Sequence, residues 1–455
     1  MSRTIAAIAT PAAPAGLGVV RLSGEDALYV ADKIFRPARR GATLSAQPGY
    51  TALYGHVFDA DGDIDDCVAL VFRAPHSYTG ENVAELSCHG GLYLLRRVLR
   101  AALAAGASPA EAGEFTRRAF VNGKMDLTGA EAVMTLIEAD GRLAAKTALA
   151  AREGAVFRRL EEVKAGLLTA EAGFAAFVDY PDDDIPELDG DALAVTLRDA
   201  ETALEGLLDT FDAGRILREG IDTVIVGSPN VGKSTLMNLL AGCERSIVTP
   251  VAGTTRDVVE ESVRLGDVVL RLADTAGIRE TDDEVEGIGV ERARSRLRTA
   301  ALALVVFDGS CPLEEADRAL MDEADPRSSV AVINKMDKEQ RIELDEIQAR
   351  FPYTVMAAAG TGEGLPALTE AVAALTGVGG LSEAAPLLAT ERQRDCASRC
   401  LACVREAADA LEAGFTLDAV SVGVSGALSA LLELTGERAA DAVVNEVFSR
   451  FCVGK

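Results

Sequence analysis

Residues 227–234 read Gly-Ser-Pro-Asn-Val-Gly-Lys-Ser, a G-x-x-x-x-G-K-S run that follows the β-branched stretch "IDTVIV" and precedes "TLMNLLAG". In a strand, glycine-rich turn and helix, backbone N–H groups and the positive helix end cradle a polyphosphate. Lys233 then reaches its β and γ oxygens and the Ser234 hydroxyl ligates Mg2+. The phosphate-side candidates are Asn230, Val231, Gly232, Lys233, Ser234 and Thr235. Further on, "DTAG" (Asp274, Thr275, Ala276, Gly277) ends a strand-like run, where it can hold the metal and sense the terminal phosphate. "NKMD" ends another such run and supplies Asn334, Lys335 and Asp337. A carboxylate there accepts both N–H donors on the guanine edge, a pair that adenine lacks, so the matching nucleotide is GTP.

The elements that position these groups lie between residues 220 and 377, where β-branched runs ("DTVIVG", "VVLRLADTAG", "ALALVVFDGS", "SVAVINK") alternate with helical stretches. That alternation predicts an α/β domain with a doubly wound, mostly parallel sheet. The flanks at about 125–215 and 387–450 are alanine-rich and helical, so the P-loop domain is inserted between two halves of a helical domain. Ahead of both, "GVVRLSG", "CVALVF" and "NVAELSCHGG" are strand-like and "LYLLRRVLRAALAAG" is helical, giving an α+β domain. The expected division is 1–122, 123–218, 219–378 and 379–455. The prolines and aspartates of "DYPDDDIPELDGD" mark a loop without calcium-loop spacing.

A chain of 455 residues, 49% hydrophobic and 25% charged, is globular and long enough for about three domains. The net charge of −26 excludes a broad nucleic-acid glove, which needs a basic field. Any RNA contact is local. The basic clusters at Arg96, Arg97 and Arg100, at Arg117 and Arg118, and at Arg292, Arg294, Arg296 and Arg298 read as solvated helix faces. No apolar run approaches the roughly 18 residues of a membrane span. "MSRTIAAIATPAAPAG" is broken by Pro11 and Pro14 before it could serve as a signal peptide. The expectation is a cytoplasmic chain with no membrane, whose eight cysteines are free thiols.

Three cysteine arrangements invite chemistry. "CASRCLAC" (Cys396, Cys400, Cys403) has the spacing of an iron–sulfur ligand set, but it falls inside a helical run whose one side would bury small residues. Cys88-His89 reads as structural, because no neighbouring acid completes a catalytic arrangement. In "SRFCVGK", Cys452 can be a prenylation site, a nucleophile or a packing residue. Lysine is an atypical final residue for prenylation, which leaves the other two roles open.

The nucleotide motifs resemble those of the translation-factor-like GTPases, and "TPVAGTTRD" at residues 249–257 then supplies Thr255 as the switch threonine. This chain departs at Ala358, Ala359 and Gly360, where that family has Ser-Ala-Lys, so the Ala359 N–H is left to meet the guanine oxygen. Ile278 stands where Ras-like enzymes carry a water-orienting glutamine. Asn230 followed by "TPVAGTT" resembles the potassium-activated subgroup. That likeness implies K+ held by Asn230, Thr249, Val251 and Thr254 in place of an arginine.

The flanks are more specific. "GVVRLSG", "SYTGENVAELSCHGG", "GEFTRRAFVNGKMDLTGAEAV", "DEVEGIGVERA" and "FCVGK" together resemble the TrmE family of bacterial and organellar tRNA modification GTPases across essentially the whole chain. "AEAGEF" departs from it at Glu111 and Ala112. The resemblance implies a homodimer built through folate-binding-like N-terminal domains and a flavoprotein partner, MnmG, joined in a heterotetramer. It also implies modification of carbon 5 of the wobble uridine of certain tRNAs with a tetrahydrofolate-borne carbon (5-formyl or 5,10-methylene). Carried over singly, the folate contacts are Arg21, Glu85, Lys124 and Lys455, the water-positioning acid is Glu286, and Cys452 is a candidate nucleophile. The alternative is a switch GTPase in ribosome assembly without modification chemistry, a class that usually carries basic tails.

Overall fold

The computed structural model describes residues 3–179, 189–242, 261–272, 297, 298 and 300–455. The chain divides into two compact units, residues 1–134 with 429–455 and residues 135–428.

The first unit is built on strands β1 (Ile5–Ile8), β2 (Ala15–Ser23), β3 (Phe35–Pro37), β4 (Thr51–Asp59), β5 (Gly62–Phe72), β6 (Val83–Gly90) and β7 (Ser108–Pro109). Among the described residues they form one sheet in the order β3-β4-β5-β6-β2-β1-β7. All pairs are antiparallel except β1 with β7. Period-2 side-chain alternation decides its faces. Along β6, Ala84, Leu86 and Cys88 are buried while Glu85, Ser87 and His89 turn the other way. The helix Leu92–Ala104 buries Leu95, Val98 and Ala102 against the inner face, with Val20, Leu22, Ala69, Val71 and Leu86. The opposite face carries the directly paired Arg21 and Glu85, and Leu17, Tyr54 and Val68 on it are exposed. A smaller core joins Leu127, Ala130 and Val133 to Val444, Phe448 and Phe451, bringing the last residues of the chain against its first third.

The second unit holds β8 (Ile221–Val226), β9 (Glu261–Leu265), β10 (Val268–Leu272), β11 (Leu302–Asp308), β12 (Ser329–Asn334) and β13 (Thr354–Met356). The sheet order is β13-β12-β11-β8-β10-β9, parallel throughout except for β9. β11 and β12 are apolar at nearly every position because both faces are covered. Leu302, Leu304 and Val306 pack with Leu236, Leu240 and Val372, whereas Ala303, Val305 and Phe307 pack with Met321, Ile347 and Phe351. This is the doubly wound sheet expected from the sequence. The loops after β8, β11 and β12 leave the same edge, where such sheets bind ligands.

Helices Ala155–Asp179, Gly190–Leu208, Glu391–Glu412 and Leu417–Thr435 supply the helical part. Asp189 caps the second of these, its carboxylate accepting the N–H groups of Asp191 and Ala192 at 3.0 and 3.3 Å. Arg405 crosses to Glu201 and Glu205. Cys396 and Cys400 are buried on the inner side of their helix, and burial pushes the Cys400 thiol up to about 12. Among the described residues no group of histidine, cysteine or acidic side chains is arranged to hold a metal ion.

One correction concerns membrane length. The helix Leu417–Thr435 is long and apolar enough to cross a membrane by length and composition. Its serines and glycines interrupt the apolar run in the sequence, but its mean hydropathy stays high. Val420, Val424, Ala427 and Leu431 on it are buried.

Leu95 is the central contact of the helix on the first sheet, 1% exposed. Leu95→Ala should cost about 2–5 kcal/mol of stability, read as a lower denaturant midpoint in equilibrium unfolding. A loss well under 1 kcal/mol would show that this helix is not held by its buried face.

Candidate functional site

The phosphate loop runs from the end of β8 into the helix Lys233–Ala241, and two glycines make its path possible. A Cβ on Gly227 would stand 2.3 Å from the Val306 carbonyl, and one on Gly232, whose φ is +102°, 2.2 Å from Asn334 Nδ2. Both contacts are too close for a side chain. Lys233 folds back over the loop, its Nζ donating to the carbonyls of Gly227 and Ser228 at 2.9 and 2.8 Å. Burial lowers its pKa from the ordinary lysine value, an effect that an anionic phosphate at the same place opposes. Ser234 and Thr235 are exposed at the helix N-terminus, so their hydroxyls and the free N–H groups there are open to an anion and its cation.

The base-side motif is wired into this loop. Asn334, 3% exposed, donates through Nδ2 to the Val231 carbonyl at 2.8 Å and accepts the Ala359 N–H at Oδ1 at 2.9 Å. Lys335 Nζ donates to the Asn230 carbonyl and to Asp308 Oδ2, both at 2.6 Å. Burial works against the charge on Asp308, yet hydrogen bonds from Lys335 and Ser310 hold its carboxyl below the usual range. Asn230 and Lys335 both take left-handed backbone conformations, φ +62° and +63°, a strain that clusters at functional sites. The Asn230 side chain and Asp337 are exposed. In the Ala358-Ala359-Gly360 loop, backbone bonds replace the missing side chains. The Ala358 N–H donates to the Glu363 carbonyl at 2.9 Å and the Ala359 N–H goes to Asn334.

Thr249, Val251, Thr254, Thr255, Asp274, Thr275, Ala276, Gly277, Ile278 and Glu286 lie outside the described residues.

A second constellation lies on the open face of the first sheet. Arg21 Nε donates to Glu85 Oε1 at 2.8 Å and Nη1 to the Gly454 carbonyl at 3.3 Å. Its guanidinium sits 5.8 and 5.6 Å from the ring centroids of Tyr78 and Phe115. Backbone contacts anchor residues 451–455. Val453 pairs with Ala112, the Lys455 carbonyl accepts the Phe115 N–H at 3.2 Å, and the Cys452 carbonyl accepts those of Gly113 and Lys455 at 3.5 and 3.3 Å. The loop that departs at Glu111 and Ala112 is therefore pinned, with the Glu111 N–H also bonded to Glu114 Oε2 at 2.8 Å. Cys452 is exposed. Lys124 is exposed and donates to the Pro75 carbonyl at 3.1 Å. Arg118 bridges Glu81 and Glu114, and Ser23 bonds both Thr79 and Glu81 at 2.7 and 2.8 Å.

Several of these groups were not legible in sequence, among them Asp308, Tyr78, Phe115 and Glu81. Asp308 did carry a signal, since it ends the apolar run "LALVVFD" just as Asn334 ends "SVAVIN". His89 needs a correction. It has an acidic neighbour after all, because Nδ1 lies 2.8 Å from Asp65 Oδ1 across the strands. That hydrogen bond raises the His89 pKa.

Comparison with known proteins agrees with this geometry. A family model described as the GTP-binding protein TrmE N-terminus matches residues 4–124, and one described as the MnmE helical domain matches residues 127–452. The tRNA modification GTPase MnmE of Symbiobacterium thermophilum is 44% identical, the match covering 99% of both chains. Those of Geobacter sulfurreducens and Lactobacillus helveticus are 41% and 39% identical, covering 99% of this chain and 99% and 98% of theirs. A GTP-binding loop wired to its base-reading motif, in a chain matched end to end by such relatives, is that of a GTP hydrolase acting in tRNA modification, and the chain belongs to the MnmE (TrmE) family of tRNA modification GTPases.

Proposed function

We propose that this chain couples potassium-stimulated GTP hydrolysis to the modification of carbon 5 of a wobble uridine in tRNA, in the cytoplasm and away from any membrane, using a tetrahydrofolate-borne one-carbon unit (5-formyl or 5,10-methylene). The observation that most supports the folate half is that Arg21 meets the Gly454 carbonyl, 433 residues away in sequence. Arg21, Glu85 and the last five residues therefore belong to one cluster. In this reading the Glu85 carboxylate accepts the paired N–H groups of the pterin with Arg21 beside it, while Lys124 and Lys455 suit the carboxylates of the glutamate tail. Tyr78 and Phe115 hold the Arg21 guanidinium in place by stacking.

On the nucleotide side, Ser234 and Thr255 hold Mg2+, which neutralises the phosphate charge when bound. K+ sits with Asn230, Thr249, Val251 and Thr254. The Lys335 bond to the Asn230 carbonyl leaves that residue's side chain exposed and free to turn toward a cation. Glu286 positions the attacking water in place of the absent glutamine, Asp274–Gly277 sense the terminal phosphate, and Asp337 reads guanine; the Ala359 N–H would have to leave Asn334 Oδ1 to meet the guanine oxygen. The domain division at 122, 218 and 378 belongs to the same reading. So does a homodimer through the first domain, whose sheet exposes Leu17, Tyr54 and Val68 on its open face. The flavin needed for the redox step resides on the MnmG partner, because this chain has no G-x-G-x-x-G after a strand.

Two outcomes test the reading. GTP turnover should be at least about tenfold faster in potassium than in sodium, a modest share of the 10³–10⁵ that an arginine finger contributes; equal rates in the two salts would remove K+ from the site. Cys452→Ser should abolish tRNA modification in an assay reconstituted with the flavoprotein, yet leave potassium-stimulated hydrolysis unchanged. Full modification by the serine variant would take the exposed Cys452 thiol out of the chemistry and limit the tail's role to Lys455.

A further inference from the structure

The phosphate loop is tied down at its third and fourth variable-stretch neighbours, Asn230 and Val231, by Lys335 and Asn334. Its entry is held by a different contact, one that the nucleotide motifs do not contain. Ser228, the first residue after Gly227, donates its hydroxyl proton to Oδ1 of Asp317. Asp317 belongs to the helix Glu315–Glu323, which follows β11. Its second oxygen, Oδ2, accepts the Glu314 N–H at 3.1 Å in a capping box at the start of that helix. Asp317 is only 9% exposed. A carboxylate at that depth is costly unless its oxygens are hydrogen-bonded, and these two donors satisfy it.

The consequence reaches the phosphates through one residue. Ser228 supplies a carbonyl that holds Lys233 Nζ at 2.8 Å, so the residue clamped by Asp317 also positions the loop lysine. We infer that Asp317 is a positioning residue for the phosphate loop. It fixes the loop entry to the helix after β11, so that Lys233 and the loop amides are aligned before the nucleotide arrives. Preorganisation of this kind acts on the binding of GDP and GTP alike, because both place the same phosphates in the loop.

A double-mutant cycle on the full chain tests this, with the dissociation constant of fluorescent GDP and the kcat and KM for GTP as readouts. Ser228→Ala and Asp317→Ala should each weaken GDP binding about tenfold, the effect of losing a hydrogen bond to a charged acceptor. The double variant should be no weaker than the worse single one. KM for GTP should rise while kcat at saturation stays the same. Asp317→Asn should recover most of the affinity, since its amide oxygen can accept the Glu314 N–H while its NH2 donates to Ser228 Oγ. Thermal melts of every variant separate loss of fold from loss of positioning. Additive single effects would overturn the inference, as would an Asp317→Asn variant as weak as Asp317→Ala. If Asp317→Ala does not fold, Ser228→Ala decides alone, and wild-type affinity in that variant overturns the proposal.

Discussion

A single carboxamide holds the nucleotide site together. Asn334 stands at the end of β12, almost fully buried, with its NH2 on the Val231 carbonyl of the phosphate loop and its oxygen on the Ala359 N–H of the loop after β13. A buried amide with one donor and the acceptor both committed can take only one orientation, so the two loops cannot move independently. Gly232 exists to let this side chain pass, since any Cβ there would strike its nitrogen. The departure at Ala358, Ala359 and Gly360 is tolerated for the same reason. The loop takes its shape from Asn334, from the Glu363 carbonyl and from the Thr361 hydroxyl, which donates to the Ala358 carbonyl at 3.1 Å.

Around that amide the other ties are likewise polar side chains that reach a neighbouring loop, Lys335 from just past β12 and Asp317 from the helix after β11. Lys335 spans Asn230 and Asp308, and Asp317 reaches Ser228. The parallel sheet makes this possible, because it delivers the ends of β8, β11 and β12 to one edge at the spacing of adjacent strands. The first unit solves a similar problem with an antiparallel sheet. Register sets Arg21 directly opposite Glu85, aromatic rings hold the guanidinium, and backbone pairing with Ala112 and Phe115 brings residues 451–455 to the same place.

What was legible in the sequence follows from these geometries. The phosphate loop is contiguous, its chemistry lies in eight successive residues, and a strand and a helix flank it, so its fold and its nucleotide could be read directly. The alternation of buried runs also announced the doubly wound sheet. Contacts between distant segments could not be read in this way. Asp65 meets His89 through strand pairing, Asp317 meets Ser228 across 89 residues, and Gly454 meets Arg21 through the whole chain. None of these follows from local periodicity, and only the family resemblance pointed to Arg21 and the tail as one site. The helix Leu417–Thr435 falls in the stretch read as helical, but its membrane-spanning length of average apolar character did not show, since small polar residues break up the run.

The central claim, that a GTPase of this family serves the chemistry of a tRNA base, is tested most directly by mass spectrometry of nucleosides from the tRNA of cells lacking this chain. The substituted wobble uridine should disappear in those cells and return when the chain is supplied again. An unchanged wobble uridine in the cells without it would contradict the account.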